Sequence, residues 1–158
     1  MLSMGRGEHR ELGAEQLRAV LESVRSSHDA IALDVSRDLG PDLLEPMSSG
    51  ASWVLVVRDD IRGVAAGRER AAELLEVQIC PGLVVRRGRS GILDPESIAD
   101  GLGLELNGIL TDEPGLVLAA ERGEPPGRSA RSPLAQLARN LLQQLPRPVE
   151  AHPAKVPA

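Results

Sequence analysis

The sequence predicts an α/β fold, a partial parallel sheet of about four strands with helices on both faces. Three observations carry that expectation. Short aliphatic runs alternate along the chain with longer segments of helical period. The runs are continuous rather than alternating, as in strands covered on both faces. Trp53 is the single aromatic among 158 residues, so Leu, Val, Ile and Ala must build the core.

The elements follow in order. Residues 1–12 carry Gly and charge without an apolar period and are expected to be loose. The folded part spans residues 13–146. It opens with an amphipathic helix over 13–26, whose stripe is Leu17, Val20, Leu21 and Val24. Asp29-Ala30-Ile31-Ala32-Leu33-Asp34 is too short for an independent helix and fits a buried strand. Gly40-Pro41 and Ser48-Ser49-Gly50 are turns around a short helix containing Leu43 and Leu44.

Trp53-Val54-Leu55-Val56-Val57 is the clearest buried strand, and Asp59 or Asp60 can cap the helix from Ile61 to Leu75. Val77-Gln78-Ile79-Cys80 reads as an apolar run with Cys80 as a small buried hydrophobe. Leu83-Val84-Val85 is the third strand. Asp94-Pro95-Glu96-Ser97 starts a short helix, with Asp as cap and Pro in the first turn, ending at Gly101 or Gly103. Leu104 to Leu110 supplies the fourth strand and Leu116 to Arg122 a short helix. Ser132-Pro133 opens a last helix with the stripe Leu134, Leu137, Ala138, Leu141, Leu142 and Leu145. That stripe fits packing on the sheet; its polar face has too little Lys or Arg for a membrane-surface helix. Residues 147–158 form a Pro- and Ala-containing tail expected to be disordered.

Composition narrows the function. A net charge of −5, with both signs mixed along the chain, gives no direct signal for nucleic acid or an anionic membrane. One cysteine excludes an internal disulfide framework and a cysteine-rich zinc site. No segment looks like a signal peptide or a membrane span, so the chain reads as cytoplasmic.

In open parallel sheets, ligands bind outside the carboxyl ends of the strands. Those ends here are Asp34-Val35-Ser36-Arg37, Arg58-Asp59-Asp60, Arg86-Arg87-Gly88-Arg89 and Thr111-Asp112-Glu113. An edge rich in Asp and Arg suits a phosphate ligand with its metal ion, and equally suits plain solubility. Asp34, directly after an apolar run, stands where a magnesium-linked aspartate sits in P-loop enzymes, although loops after strands often begin with Asp. A phosphate loop needs glycines and a lysine, but the only lysine, Lys155, lies in the tail with no strand before it. His9, His28 and His152 are far apart and lack metal-ligand spacing. Ser90 does not complete a nucleophile elbow, and Gly101-Leu102-Gly103 lacks the third glycine of a dinucleotide fingerprint. No residue is assigned a catalytic role.

Taken together, the segments resemble the C-terminal half of the MinD/ParA-type ATPases of the P-loop NTPase group. They are most similar to an actinobacterial branch described as CpaE-like or septum site-determining proteins. The similarity runs from about Leu17 to Leu145. It rests on His28-Asp29-Ala30-Ile31-Ala32-Leu33-Asp34-Val35-Ser36-Arg37, like a Walker B strand and its ending. It continues through the strand 53–57, Gly82-Leu83-Val84-Val85-Arg86, residues 91–104, and Asp112-Glu113-Pro114-Gly115-Leu116.

The resemblance implies ATP and Mg2+ as cofactors and a role in septum-site determination or in positioning pili or secretion machinery. It makes Asp34 the acid that holds the metal's water shell. Arg86 falls where many relatives have an Asn that reads adenine, a departure from the pattern. Asp112, Glu113 and Pro114 match the loop that closes over the base. The family's lysine loop has no counterpart, so the expectation is a truncated chain, a fragment, or a chain working with another polypeptide, unable to hydrolyse ATP alone. An uncovered sheet edge would then favour self-association or a partner protein. Peripheral attachment to membrane or nucleoid is implied by the family only. Two alternatives stand beside this reading: a non-catalytic module binding a partner ATPase or a division protein, and an unrelated small-ligand domain of flavodoxin-like topology.

Overall fold

The computed structural model describes residues 13–36, 40–48, 50–88 and 91–145. The expected loose start over 1–12 and the tail from 147 lie outside the described residues, as do Arg37, Ser49, Arg89, Ser90, His9, His152 and Lys155. The chain divides into two compact units, Met1–Ala51 and Ser52–Ala158.

The first unit is a helix pair. Helix α1 (Ala14–Arg25) follows Gly13, whose N–H donates to Gln16 Oε1 at 3.4 Å. Leu17 and Leu21 of its stripe are buried, while Val20 is exposed. Helix α2 (Pro41–Ser48) packs against α1 and buries Leu44 and Met47. An exposed pair, Arg18 to Glu45 at 2.7 Å, ties the two helices on the outside.

The strand expected at residues 29–34 is not one. Residues 30–36 have no regular structure, with Leu33 and Asp34 exposed and Ile31 and Val35 half-buried. The physical reason is pairing. A strand's N–H and C=O groups need a neighbour, and the described residues of this unit contain no second strand.

The second unit is a three-stranded parallel sheet rather than one of about four strands. Its order is β1 (Val54–Arg58), β2 (Gly82–Arg87), β3 (Leu106–Thr111). The connections are α3 (Ile61–Glu76) and α4 (Pro95–Leu102), and α5 (Gly115–Glu121) and α6 (Pro133–Gln144) follow β3. β2 is central and carries the best-buried residues: Leu83 and Val85 are fully enclosed. They face Ala71 of α3 and Ile98, Ala99 and Leu102 of α4 in one aliphatic core with Val57 and Leu104.

The opposite face carries α6. Val84 pairs with Gly108, and a side chain on Gly108 would run into Leu137 of α6. β3 carries an extra residue, Asn107, between Leu106 (level with Leu83) and Gly108 (level with Val84). Asn107 Nδ2 donates to Gln144 Oε1 at 2.9 Å, which pins the end of α6. Of the predicted α6 stripe only Leu137 is buried, whereas Leu142 and Leu145 stay exposed.

Capping chemistry sets the helix starts. Asp60 accepts from Gly63 N–H at 2.7 Å, so it, and not Asp59, is the cap of α3. Asp94 accepts from the N–H and the hydroxyl of Ser97, both at 3.0 Å. The Ser97 backbone bond first, then the Ser97 hydroxyl, then Glu96 and Arg87 hold the Asp94 carboxyl below its ordinary value. Gly103 closes α4 at φ +66°, a left-handed conformation that suits glycine.

Two further expectations need correction. Among the described residues β1 is not covered on both faces: Val54 is 41% and Val56 58% exposed, with β1 at the edge of the three-stranded sheet and α3 packed against it. Cys80 is exposed rather than buried. Gln78 turns the chain at φ +62°, and the extended stretch after it buries Ile79 and Pro81 and points Cys80 outward.

Candidate functional site

Three parallel strands bring three carboxyl ends to one edge, where ligands bind in sheets of this kind. Beyond β1 come Asp59 and Asp60. Arg86 and Arg87 end β2, and Asp112, Glu113 and Pro114 follow β3. The sheet therefore gathers Arg86, Asp112, Glu113 and Pro114, all named from sequence. Asp34 belongs to the other unit, where it is exposed and outside any strand.

Arg86 and Asp112 engage each other. Nε and Nη2 of the guanidinium both donate to Asp112 Oδ1 at 3.3 Å. Their side chains are 55% and 38% exposed, so the pair stabilises the edge by less than about 1 kcal/mol. Its consequence is chemical: the fork is already half occupied by an acceptor. The Asp112 N–H also donates to Arg87 C=O at 3.3 Å and carries the ladder one residue past β3.

Glu113 turns inward to α6. It accepts the Ser132 hydroxyl at 2.7 Å on one oxygen and 3.0 Å on the other, and the Leu134 N–H at 3.3 Å. Ser132 itself caps α6 through Ala135 N–H at 3.3 Å. Glu113 thus satisfies free donors at a helix start, where negative charge is favoured. Pro114 precedes α5, a helix none of whose residues is buried. An open cavity of about 400 Å³ lies beside it, lined by Leu116, Ala119, Glu124, Pro125, Arg128 and Arg131 among others.

Sequence reasoning missed Asp59. Its residue is only 3% exposed; Oδ1 accepts the Gly88 N–H at 3.0 Å and its own N–H donates to Arg86 C=O at 3.2 Å. Oδ2 is buried and has no partner among the described residues. Gly91 approaches so closely that any side chain there would collide with Oδ2. The signal lay in the doublet Asp59-Asp60: a helix needs one cap, so the second acid was free for other work.

At this edge the charged side chains are engaged with the chain's own groups. Among the described residues no three His, Cys, Asp or Glu side chains are placed to hold a metal ion. Arg86 is paired with Asp112, and Glu113 is engaged by α6. No step through nucleotide or metal is therefore derived from this edge.

The layout defines a class, the open parallel α/β domain with a ligand edge at its strand ends. Within that class the particular fold is of the MinD/ParA type. The chain is similar to the MinD cell division protein of Aquifex aeolicus, with a TM-score of 0.69 and 24% identity over 83% of this chain and 61% of that one. It is also similar to the cell division ATPase MinD of Pyrococcus furiosus, with a TM-score of 0.66 and 21% identity over 82% of this chain and 58% of that one. The chain thus spans about three-fifths of the length of either solved structure. By sequence, no protein-family model matches it and no curated protein matches it. No helix among the described residues is long and apolar enough to cross a membrane.

Proposed function

We propose that this chain is a MinD/ParA-like, CpaE-like protein of septum-site determination or of pilus and secretion positioning, contributing the base side of a nucleotide site rather than its phosphate side. The observation that supports the reading is the strand-end edge. A MinD-type fold brings Arg86, Asp112, Glu113 and Pro114 to the place where such sheets bind ligands. On this reading ATP turnover needs a lysine loop from outside these residues. A calorimetric titration with magnesium-ATP tests this. The expected result is no measurable binding by the chain alone. Micromolar binding that Asp34→Ala abolishes would overturn the division of labour.

One observation favours a second reading, a non-catalytic module that binds a partner ATPase or a division protein. Arg86 and Glu113 are both committed to internal partners, as in a surface that organises itself rather than waits for a ligand. The readings separate on Asp112→Ala. Freeing Arg86 leaves partner binding unchanged if the pair is structural, and alters nucleotide affinity of the completed site if it reads a base.

A further inference from the structure

Asn107 is one of two asparagines in the chain, and the one followed by glycine. We infer that the Asn107-Gly108 step of β3 is a hydrolytic modification site, gated by the end of α6, at which the side-chain amide is lost as ammonia. This inference does not rest on the nucleotide reading. Packing on both sides holds the pair of residues in place. Leu137 of α6 fills the space that a side chain on Gly108 would need, and Asn107 Oδ1 fills that of one on Gly82. The pair also sits at the bulge. Leu83 is level with Leu106 and Val84 with Gly108, so Asn107 has no partner in β2 and the ladder is locally interrupted. The Gly108 nitrogen is therefore less tied than that of an ordinary strand residue, and no Cβ hinders its approach to the neighbouring side chain.

In the closed state the Asn107 amide is held away from that nitrogen. Nδ2 donates to Gln144 Oε1 at 2.9 Å, and Oδ1 is buried against Gly82 with no hydrogen-bond partner among the described residues. Ring closure requires the amide to swing away from both. Gln144 is the last residue of α6, with Leu142 and Leu145 exposed beside it, so its release is a local opening of a helix end. The Gly108 nitrogen then bonds to Asn107 Cγ and gives its proton to solvent base. The Cγ–Nδ2 bond breaks, and Nδ2 takes up a proton and leaves as ammonia. Water opens the cyclic imide at either carbonyl, giving aspartate or isoaspartate with no change of oxidation state. Aspartate sets a charge where Oδ1 is buried, and isoaspartate adds a backbone carbon to β3. Either product loosens the seat of Leu137 and α6 on the sheet.

Peptide mapping by mass spectrometry tests this on the full chain, held at mildly alkaline pH with and without urea. Folded wild type should convert at Asn107 and stay intact at Asn140, which precedes the bulky Leu141. Gln144→Ala, at an exposed position, should raise the folded-state rate about threefold or more and leave the rate in urea unchanged. Gln144→Glu keeps an acceptor for Nδ2 and should stay near wild type, with circular dichroism confirming that both variants fold. Chain enriched in the product should lose hydrogen-exchange protection in α6 while β1 and α3 keep theirs. Conversion seen only in urea overturns the proposal. So do equal folded-state rates for wild type and Gln144→Ala, a Gln144→Glu rate as fast as that of Gln144→Ala, or undiminished protection of α6 in the product.

Discussion

Residues 30–34 and residues 53–57 look alike on paper, as aliphatic runs followed by a charged stretch. Only the second forms a strand. The difference lies in what each run has beside it. β1 pairs along its whole length with β2 and lays Val57 into a core shared with α3 and α4. The run ending at Asp34 has no second strand among the described residues of its unit, and Leu33 remains 46% exposed. Aliphatic content makes a strand possible; a neighbouring edge makes it real.

Point substitutions can break that comparison or sharpen it. The largest effect is expected at the sheet centre. Leu83→Ala should lower unfolding free energy by about 3 kcal/mol in urea titrations, while Ile31→Ala should cost less than about 1 kcal/mol. Equal losses would mean that the first run is packed as a strand after all. Gly91→Ala should come next, at about 2 kcal/mol, because the new methyl displaces Asp59 from Gly88 N–H. Asp60→Ala removes the cap of α3, the helix that covers β1, and should cost about 1 kcal/mol by the same measurement.

The smallest effect is a pH dependence. The Asp94 carboxyl is held below its ordinary value in the folded state, so its contribution is complete above the unfolded-state value and fades as pH falls through the lower folded one. Asp94→Asn should flatten the acid limb of a stability–pH curve in that window and leave neutral behaviour nearly unchanged. An unaltered acid limb would show that the Ser97 bonds do not favour the charged form.

The parallel α/β class was readable because β1 and β2 hold compact aliphatic runs and because Asp94-Pro95 and Ser132-Pro133 spell helix starts. What escaped was whatever depends on a second segment. Whether residues 29–34 would be paired is a question about neighbours. The outward turn of Cys80 follows from a left-handed Gln78, which composition does not announce. At the edge, Arg86 and Asp112 were both picked out, yet their mutual bond arises from parallel register. The burial of Asp59 needed Gly88 and Gly91 from a loop far along the chain.

The contact between Gly91 and Asp59 has a consequence for how this stretch can drift in sequence. No side chain fits at position 91 without dislodging the carboxylate, and shortening Asp59 would leave the Gly88 amide without its acceptor. Neither position can change alone without loss, so the two should vary together. Ile92, next along the chain and 80% exposed, is free to vary. A saturation library across residues 88–92 should therefore retain a single strict glycine at 91 beside a freely substituted 92, an imprint of a buried acid some thirty residues upstream.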